Sequence, residues 1–125
     1  MDISSEDLDI LLQKRQSLRE ALGPRAVHSE DYKILDAVLL NVGKLKGSIM
    51  ISDGLLRVII PQYQVRDLQL NLMKLRARHK SYHEMMFRET TLSRQRYARR
   101  KTALTQRQIN ELETLLKISG KEVTI

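Results

Sequence analysis

Leucines that recur at helical spacing mark the first predicted helix. Its apolar face consists of Leu8, Leu11, Leu12, Leu18 and Leu22. A serine hydroxyl can accept a hydrogen bond from an unpaired backbone N–H at a helix start, so Ser4 or Ser5 is the predicted N-cap. Gly23-Pro24 ends the helix, because glycine adopts the left-handed cap conformation readily and proline cannot continue the hydrogen-bond ladder.

A second helix and a β-hairpin are predicted between residues 29 and 60. The helix begins at Ser29, whose hydroxyl can cap it, and its wide apolar face extends to Val42. Two short apolar segments, 48–51 and 55–60, then flank Asp53-Gly54, and an Asp-Gly pair between such segments is typical of a hairpin turn. A lone hairpin is only marginally stable, so it must pack on the helices or pair with the edge of another chain.

A long amphipathic helix is predicted for the C-terminal half. Pro61 suits the first turn of a helix, and neither glycine nor proline occurs from Gln62 to Ser119. At about 100° per residue, one face collects the apolar side chains of Val65, Leu68, Leu72, Leu75, Tyr82, Met86, Tyr97 and Leu104. Because so long an apolar stripe requires a partner, we predict that these residues form an oligomer interface, as in a homodimeric coiled coil. The alternative is an amphipathic helix that packs on its own domain.

The continuity of this helix is left open by the sequence. The apolar stripe is weakest around residues 89–102, so a break near residues 90–105 is an alternative to one continuous helix. Thr90, Thr91 or Ser93 could cap a new helix in this segment.

The predicted fold is mainly α. It has two short N-terminal helices, a small β-hairpin and a long C-terminal amphipathic helix that forms a coiled coil or a helical bundle. Residues 1–61 are predicted to form a compact region, residues 62–119 the long helix and residues 120–125 a tail. A length of 125 residues fits one domain, or a small core with an extended appendage.

The positive charge of the chain is concentrated in one segment. The chain holds 22 Lys and Arg against 15 Asp and Glu, a formal net charge of +7. Residues 74–101 hold ten basic and two acidic side chains, whereas residues 1–73 have a net charge of −1 and residues 102–125 are neutral. Helical spacing places seven basic residues on a face beside the apolar stripe: Lys74, Arg78, Arg88, Arg96, Arg99, Arg100 and Arg107.

These seven residues suggest what the chain binds. An arginine guanidinium can bind a carboxylate or a phosphate through two parallel hydrogen bonds. We therefore expect the face to dock an acidic protein partner. The alternatives are a nucleic acid held through its phosphates by segment 74–101, and a helix face that is only solvated.

Composition excludes some classes of protein. With no cysteine, the chain can form neither a disulfide framework nor a thiolate metal site, which fits an intracellular location. The N-terminus is acidic where a signal peptide needs positive charge, and no apolar segment approaches the roughly 20 residues that span a bilayer. The expected location is cytoplasmic, or nuclear in a eukaryote.

Candidate chemistry is sparse. His79 and His83 are four residues apart, a spacing that can chelate a metal on a helix, but no third ligand lies nearby in the sequence. One interfacial and one solvated histidine is therefore the favoured interpretation. Because no catalytic motif is recognised, we predict a non-enzymatic scaffold, adaptor or assembly factor with no catalytic residue, metal, cofactor or small-molecule substrate.

Overall fold

In the computed structural model, which describes residues 2–125, the first helix forms where local signals predict it. Helix α1 spans Ser5–Leu22, and the Ser4 hydroxyl caps it by accepting a hydrogen bond from the Asp7 backbone N–H at 3.1 Å. The helix stops at Gly23, whose φ of +57° glycine adopts without strain. A short 3-10 helix, Gly23–His28, follows directly.

The second helix also follows its local signals. Helix α2 spans Glu30–Asn41, and the Ser29 hydroxyl accepts a hydrogen bond from the Tyr32 backbone N–H at 3.4 Å. It packs against α1, where Arg15 forms an ion pair with Asp36 at 3.0 Å. The predicted caps of both helices are therefore confirmed.

The predicted β-hairpin is present after α2. Strand β1 spans Ser48–Ser52 and pairs antiparallel with β2, Leu55–Ile59. Asp53 and Gly54 between them have φ values of +52° and +75°, and positive φ at both positions is what a type I′ turn requires. The Asp-Gly pair therefore forms the two-residue hairpin turn that the sequence predicts.

A third strand joins this sheet from the C-terminus. Strand β3, Glu122–Thr124, pairs antiparallel with β2, so that Val123 lies opposite Leu56 in a sheet of order β1-β2-β3. The sequence pattern predicts only a tail for residues 120–125. The hairpin therefore gains its third strand from within the same chain.

Of the two alternatives that the sequence leaves open for the C-terminal half, one continuous helix or a broken one, the structure has the broken helix. Helix α3 spans Gln62–Arg88 and helix α4 spans Leu92–Ile118. The connection of residues 89–91 is fastened to the start of α4, because the Gln95 side-chain amide donates to the Glu89 carbonyl oxygen at 2.7 Å. The long helix is therefore broken, and the two halves pack together as an antiparallel helical hairpin.

The chain divides into two compact units. The mixed unit comprises the chain up to Val65 together with Thr114–Ile125, and the helical-hairpin unit is Arg66–Glu113. The largest fully buried side chains of the mixed unit come from α1, α2, strand β2, the segment before β1 and the end of α4: Leu11, Leu35, Val38, Leu45, Leu56, Val58 and Leu115. The boundary between the units falls inside α3 and inside α4.

None of the helices within residues 2–125 combines the length and the apolar character needed to cross a membrane.

Candidate interaction surface

The apolar stripe predicted as an oligomer interface is divided between the two long helices. Leu72 is buried, with 7% of its surface exposed. Five residues of the stripe on α3 are half-buried: Val65, Leu68, Leu75, Tyr82 and Met86. Tyr97 and Leu104 lie on α4 and are 43% and 42% exposed. Because the chain reverses at residues 89–91, these two residues do not continue the apolar face of α3.

A different face of α4 forms the seam of the helical hairpin. Ala98, Thr105 and Ile109 are buried there. Thr105 is tolerated because its hydroxyl donates to the Lys101 carbonyl oxygen at 2.8 Å within the same helix. The same hydroxyl lies 3.0 Å from Nδ1 of His79 on α3. The seam is therefore narrow and partly polar, so the apolar periodicity of α4 does not predict it.

The arginines of α4 lie on the side of the helix that faces away from this seam. Arg96 and Arg100 are each two residues from Ala98, and Arg107 is two residues from Ile109. Two residues correspond to roughly 200° of rotation around a helix, so all three point away from α3. Each of them is exposed. They form a cationic row along the outer side of α4, and Arg99, which is exposed and three residues from Arg96, adjoins it.

A surface depression lies at the N-terminal end of this row. Its lining consists of Ser93, Arg96, Arg99 and Arg100. We call these three arginines together with Arg107 the arginine face. Ser93 lines the depression but is not identified by the charge pattern, because serine carries no charge and is common on helix surfaces.

The remaining predicted basic residues lie on the other helix. Lys74, Arg78 and Arg88 are exposed on α3. The sequence places all seven basic residues on one face of one helix. In the structure they belong to two helices of the same unit, because the helix is broken, and only the four on α4 form a row.

The helical-hairpin unit carries the whole net charge of the protein. It holds twelve Lys and Arg against five Asp and Glu, which is +7, whereas the mixed unit holds ten of each. Two of the twelve cations form ion pairs within the unit, Arg76 with Glu113 at 2.9 Å and Arg94 with Glu89 at 3.5 Å. Within residues 2–125, no ion pair neutralises any of the seven predicted basic residues.

Tyr97 lies beside the arginine face and contacts both helices. Its ring meets the Tyr82 ring edge-on, with 6.2 Å between the centroids, and the Lys101 Nζ lies 5.7 Å from the Tyr97 centroid. Lys101 therefore covers part of this ring, although the Tyr97 residue as a whole remains 43% exposed.

The two histidines of α3 contact each other and an aromatic ring. The His79 and His83 rings stack with 6.2 Å between their centroids, and the His83 ring lies edge-on to Phe87 at 5.2 Å. In the part of the chain that the structure describes, no three His, Asp or Glu side chains converge as a metal site would require.

Comparison with protein-family models, with curated proteins and with solved structures gives no match to this chain.

Proposed function

We propose that this chain is a non-enzymatic helical interaction protein, a scaffold, adaptor or assembly factor. Its helical-hairpin unit oligomerises and docks an acidic protein partner on the arginine face. One observation carries the proposal: the whole net charge of +7 lies in this unit, and no ion pair within residues 2–125 neutralises the four exposed arginines of the arginine face. Such a surface attracts acidic molecules and favours their rapid association.

Oligomerisation is supported by apolar side chains that this unit leaves exposed. These side chains are Leu70, Met73, Phe87, Leu92, Tyr97 and Leu104, with between 42% and 76% of each surface exposed. Among the described residues of the unit, only Leu72, Ala98, Thr105 and Ile109 are buried. A pair of helices with so small a buried seam is marginally stable, so a further chain that covers apolar surface would stabilise it.

A nucleic acid is the second candidate partner. The arginine face suits phosphates as well as carboxylates, and the exposed Tyr97 ring beside it offers a surface on which a base could stack. We favour the acidic protein because Lys101 and Tyr82 already occupy part of the Tyr97 ring.

The test is capture of partners from the native host by the full-length chain, with and without nuclease treatment. The variant Arg96→Glu/Arg99→Glu/Arg100→Glu reverses three charges of the arginine face. The matched control, Lys14→Glu/Arg25→Glu/Lys33→Glu, makes the same change in net charge at exposed positions of the mixed unit.

We expect an acidic protein that the native sequence and the control variant retain after nuclease treatment, and that the arginine-face variant loses. A partner that disappears with nuclease, and whose log affinity falls steeply with log salt, would replace the acidic protein with a nucleic acid. Equal losses by the two variants would contradict both candidates, because net charge alone would then explain the binding.

A further inference from the structure

A second stripe at coiled-coil spacing runs along the outer side of α3. We call it the outer stripe, and its members are Arg66, Leu70, Met73, Ala77, Lys80, Glu84 and Phe87. They alternate at spacings of three and four residues, as the a and d positions of a heptad do. Each of the first six lies two residues before a buried or half-buried residue of α3, which is roughly 200° around the helix; these are Leu68, Leu72, Leu75, His79, Tyr82 and Met86. Of these, His79 and Tyr82 contact side chains of α4. The outer stripe therefore faces away from α4.

The apolar members of the outer stripe are strongly exposed. Phe87 is 76% exposed, Met73 66% and Leu70 50%, and Ala77 is exposed as well. Isolated apolar side chains on a surface are ordinary, but four at heptad spacing on one helix form a surface that a second helix can cover.

We propose that a second copy of this chain covers the outer stripe, with the two α3 helices antiparallel. This inference rests on the oligomerisation in the proposed function and identifies its surface. The register places Arg66 opposite Glu84, Leu70 opposite Lys80 and Met73 opposite Ala77. A twofold axis relates the copies, so each pairing occurs twice in the dimer.

The charges within the outer stripe decide the orientation. In a parallel dimer in register, Arg66, Lys80 and Glu84 would each face an identical charge, which destabilises a helix pair. In the antiparallel register, Arg66 and Glu84 neutralise each other. If the register moves by one heptad in one direction, Glu84 lies opposite Met73 of the other copy. If it moves in the other direction, Glu84 lies beyond the N-terminal end of the other copy's α3. Among these registers, only the proposed one pairs Arg66 with Glu84.

The same charges favour a second copy over an acidic partner helix. An acidic helix would satisfy Arg66 and Lys80, but it would bring negative charge against Glu84. A second copy satisfies Arg66 and Glu84 together. The Lys80 stem can cover Leu70 while its ammonium group stays in water.

The net charge of the unit predicts how salt acts on this dimer. Each helical-hairpin unit carries +7, and Lys74 lies near the twofold axis in both copies. Salt screens both the repulsion between the two +7 units and the attraction within the two Arg66–Glu84 pairs. We expect the relief of repulsion to be the larger effect, so that salt strengthens the dimer. Binding of an acidic partner to the arginine face weakens with salt, and the two interactions are thereby distinguishable.

Sedimentation of the full-length chain tests the register through a charge swap. The variants are Arg66→Glu, Glu84→Arg and the double variant with both changes. Each single reversal is expected to weaken the dimer about tenfold or more, and the double variant to restore it to within about threefold of the native chain. Circular dichroism checks that every variant keeps its helices.

Two further variants test whether a weaker dimer results from the change in net charge or from unfolding rather than from the loss of a specific contact. Arg25→Glu makes the same change in net charge as Arg66→Glu, but at an exposed position of the mixed unit, so it should strengthen the dimer slightly or leave it unchanged. Met73→Asp should give monomers without loss of helix, because the Met73 side chain is already exposed in one chain.

Three outcomes would overturn this inference. A native chain that is monomeric at high salt would remove both the outer-stripe dimer and the proposed oligomerisation. A native dimer that none of these variants disrupts would leave oligomerisation standing but move it to another surface. A double variant as weak as the single variants would exclude the proposed register. Because no variant alters α4, retained partner capture by all of them would show that the arginine face functions independently.

Discussion

At Gly47 the backbone takes a conformation that favours glycine. Its φ is +94°, and a side-chain Cβ at this position would clash with the Ile59 carbonyl oxygen of the neighbouring strand. The Gly47 carbonyl oxygen also accepts a hydrogen bond from the Asp2 backbone N–H at 2.8 Å. One residue therefore supports the close approach of β2 and the attachment of the N-terminal segment.

Replacing Gly47 with alanine should destabilise the mixed unit. We expect Gly47→Ala to lower the free energy of unfolding by about 2 kcal/mol or more, because it adds both a strained φ and a steric clash. Gly43→Ala is the matched control, since Gly43 has no positive φ and an added methyl group there would meet no atom within 4 Å. Urea denaturation of the full chain measures both, and similar losses in the two variants would contradict the explanation.

Local residue signals were predictable from the sequence because they act over a few neighbouring positions. The caps at Ser4 and Ser29 and the turn at Asp53-Gly54 each depend on hydrogen bonds or φ values within about four residues. The role of Thr105 was not predictable in this way. Its burial depends on His79, which lies on another helix.

At the scale of elements, the break at residues 89–91 has no glycine or proline to cause it. The reversal instead lets two helices cover each other, as the contacts of Tyr82 with Tyr97 and of His79 with Thr105 illustrate. Strand β3 likewise depends on pairing with a distant segment. Periodicity along the chain predicted the helical character of both segments, but it could not predict which faces would meet.

The contact between His79 and Thr105 in the seam can be tested by its effect on the stability of the helix pair. The Thr105 hydroxyl has one proton, and the Lys101 carbonyl oxygen at 2.8 Å accepts it. With that proton so used, the His79 tautomer protonated at Nδ1 donates to the Thr105 oxygen at 3.0 Å. When His79 is replaced, the Thr105 hydroxyl therefore still donates to the Lys101 carbonyl oxygen. The change His79→Leu should raise the free energy of unfolding by about 0.5 kcal/mol, because it adds apolar contact at the seam.

The control for this change is His83→Leu. His83 is exposed, one turn along α3, so leucine there should have a smaller effect on thermal unfolding. If His79→Leu instead lowers the free energy of unfolding by more than about 1 kcal/mol, the hydrogen bond to Thr105 contributes more than the packing argument allows.

At the scale of the whole molecule, charge and apolar surface are distributed unequally between the two units. The mixed unit has equal numbers of acidic and basic residues, and it contains most of the buried apolar side chains. The helical-hairpin unit has a net charge of +7 and a small seam. The sequence predicted the location of this charge, whereas its division between α3 and α4 required knowledge of the break.

In the proposed function, the acidic partner and the second copy bind different surfaces of the helical-hairpin unit. The arginine face lies on the outer side of α4, and the outer stripe lies on the outer side of α3, so an acidic partner and a second copy need not compete. Opposite responses to salt are expected for the two interactions, because screening weakens attraction between unlike charges and relieves repulsion between like charges.

The most direct test of the central claim is the affinity of the purified acidic partner for the full-length chain at moderate salt. We predict that Arg96→Glu/Arg99→Glu/Arg100→Glu raises the Kd about a hundredfold, which corresponds to about 2.7 kcal/mol. The control Lys14→Glu/Arg25→Glu/Lys33→Glu, with the same net charge, should change the Kd less than about threefold. Equal effects of the two variants, or an unchanged Kd for the first, would contradict the assignment of binding to the arginine face.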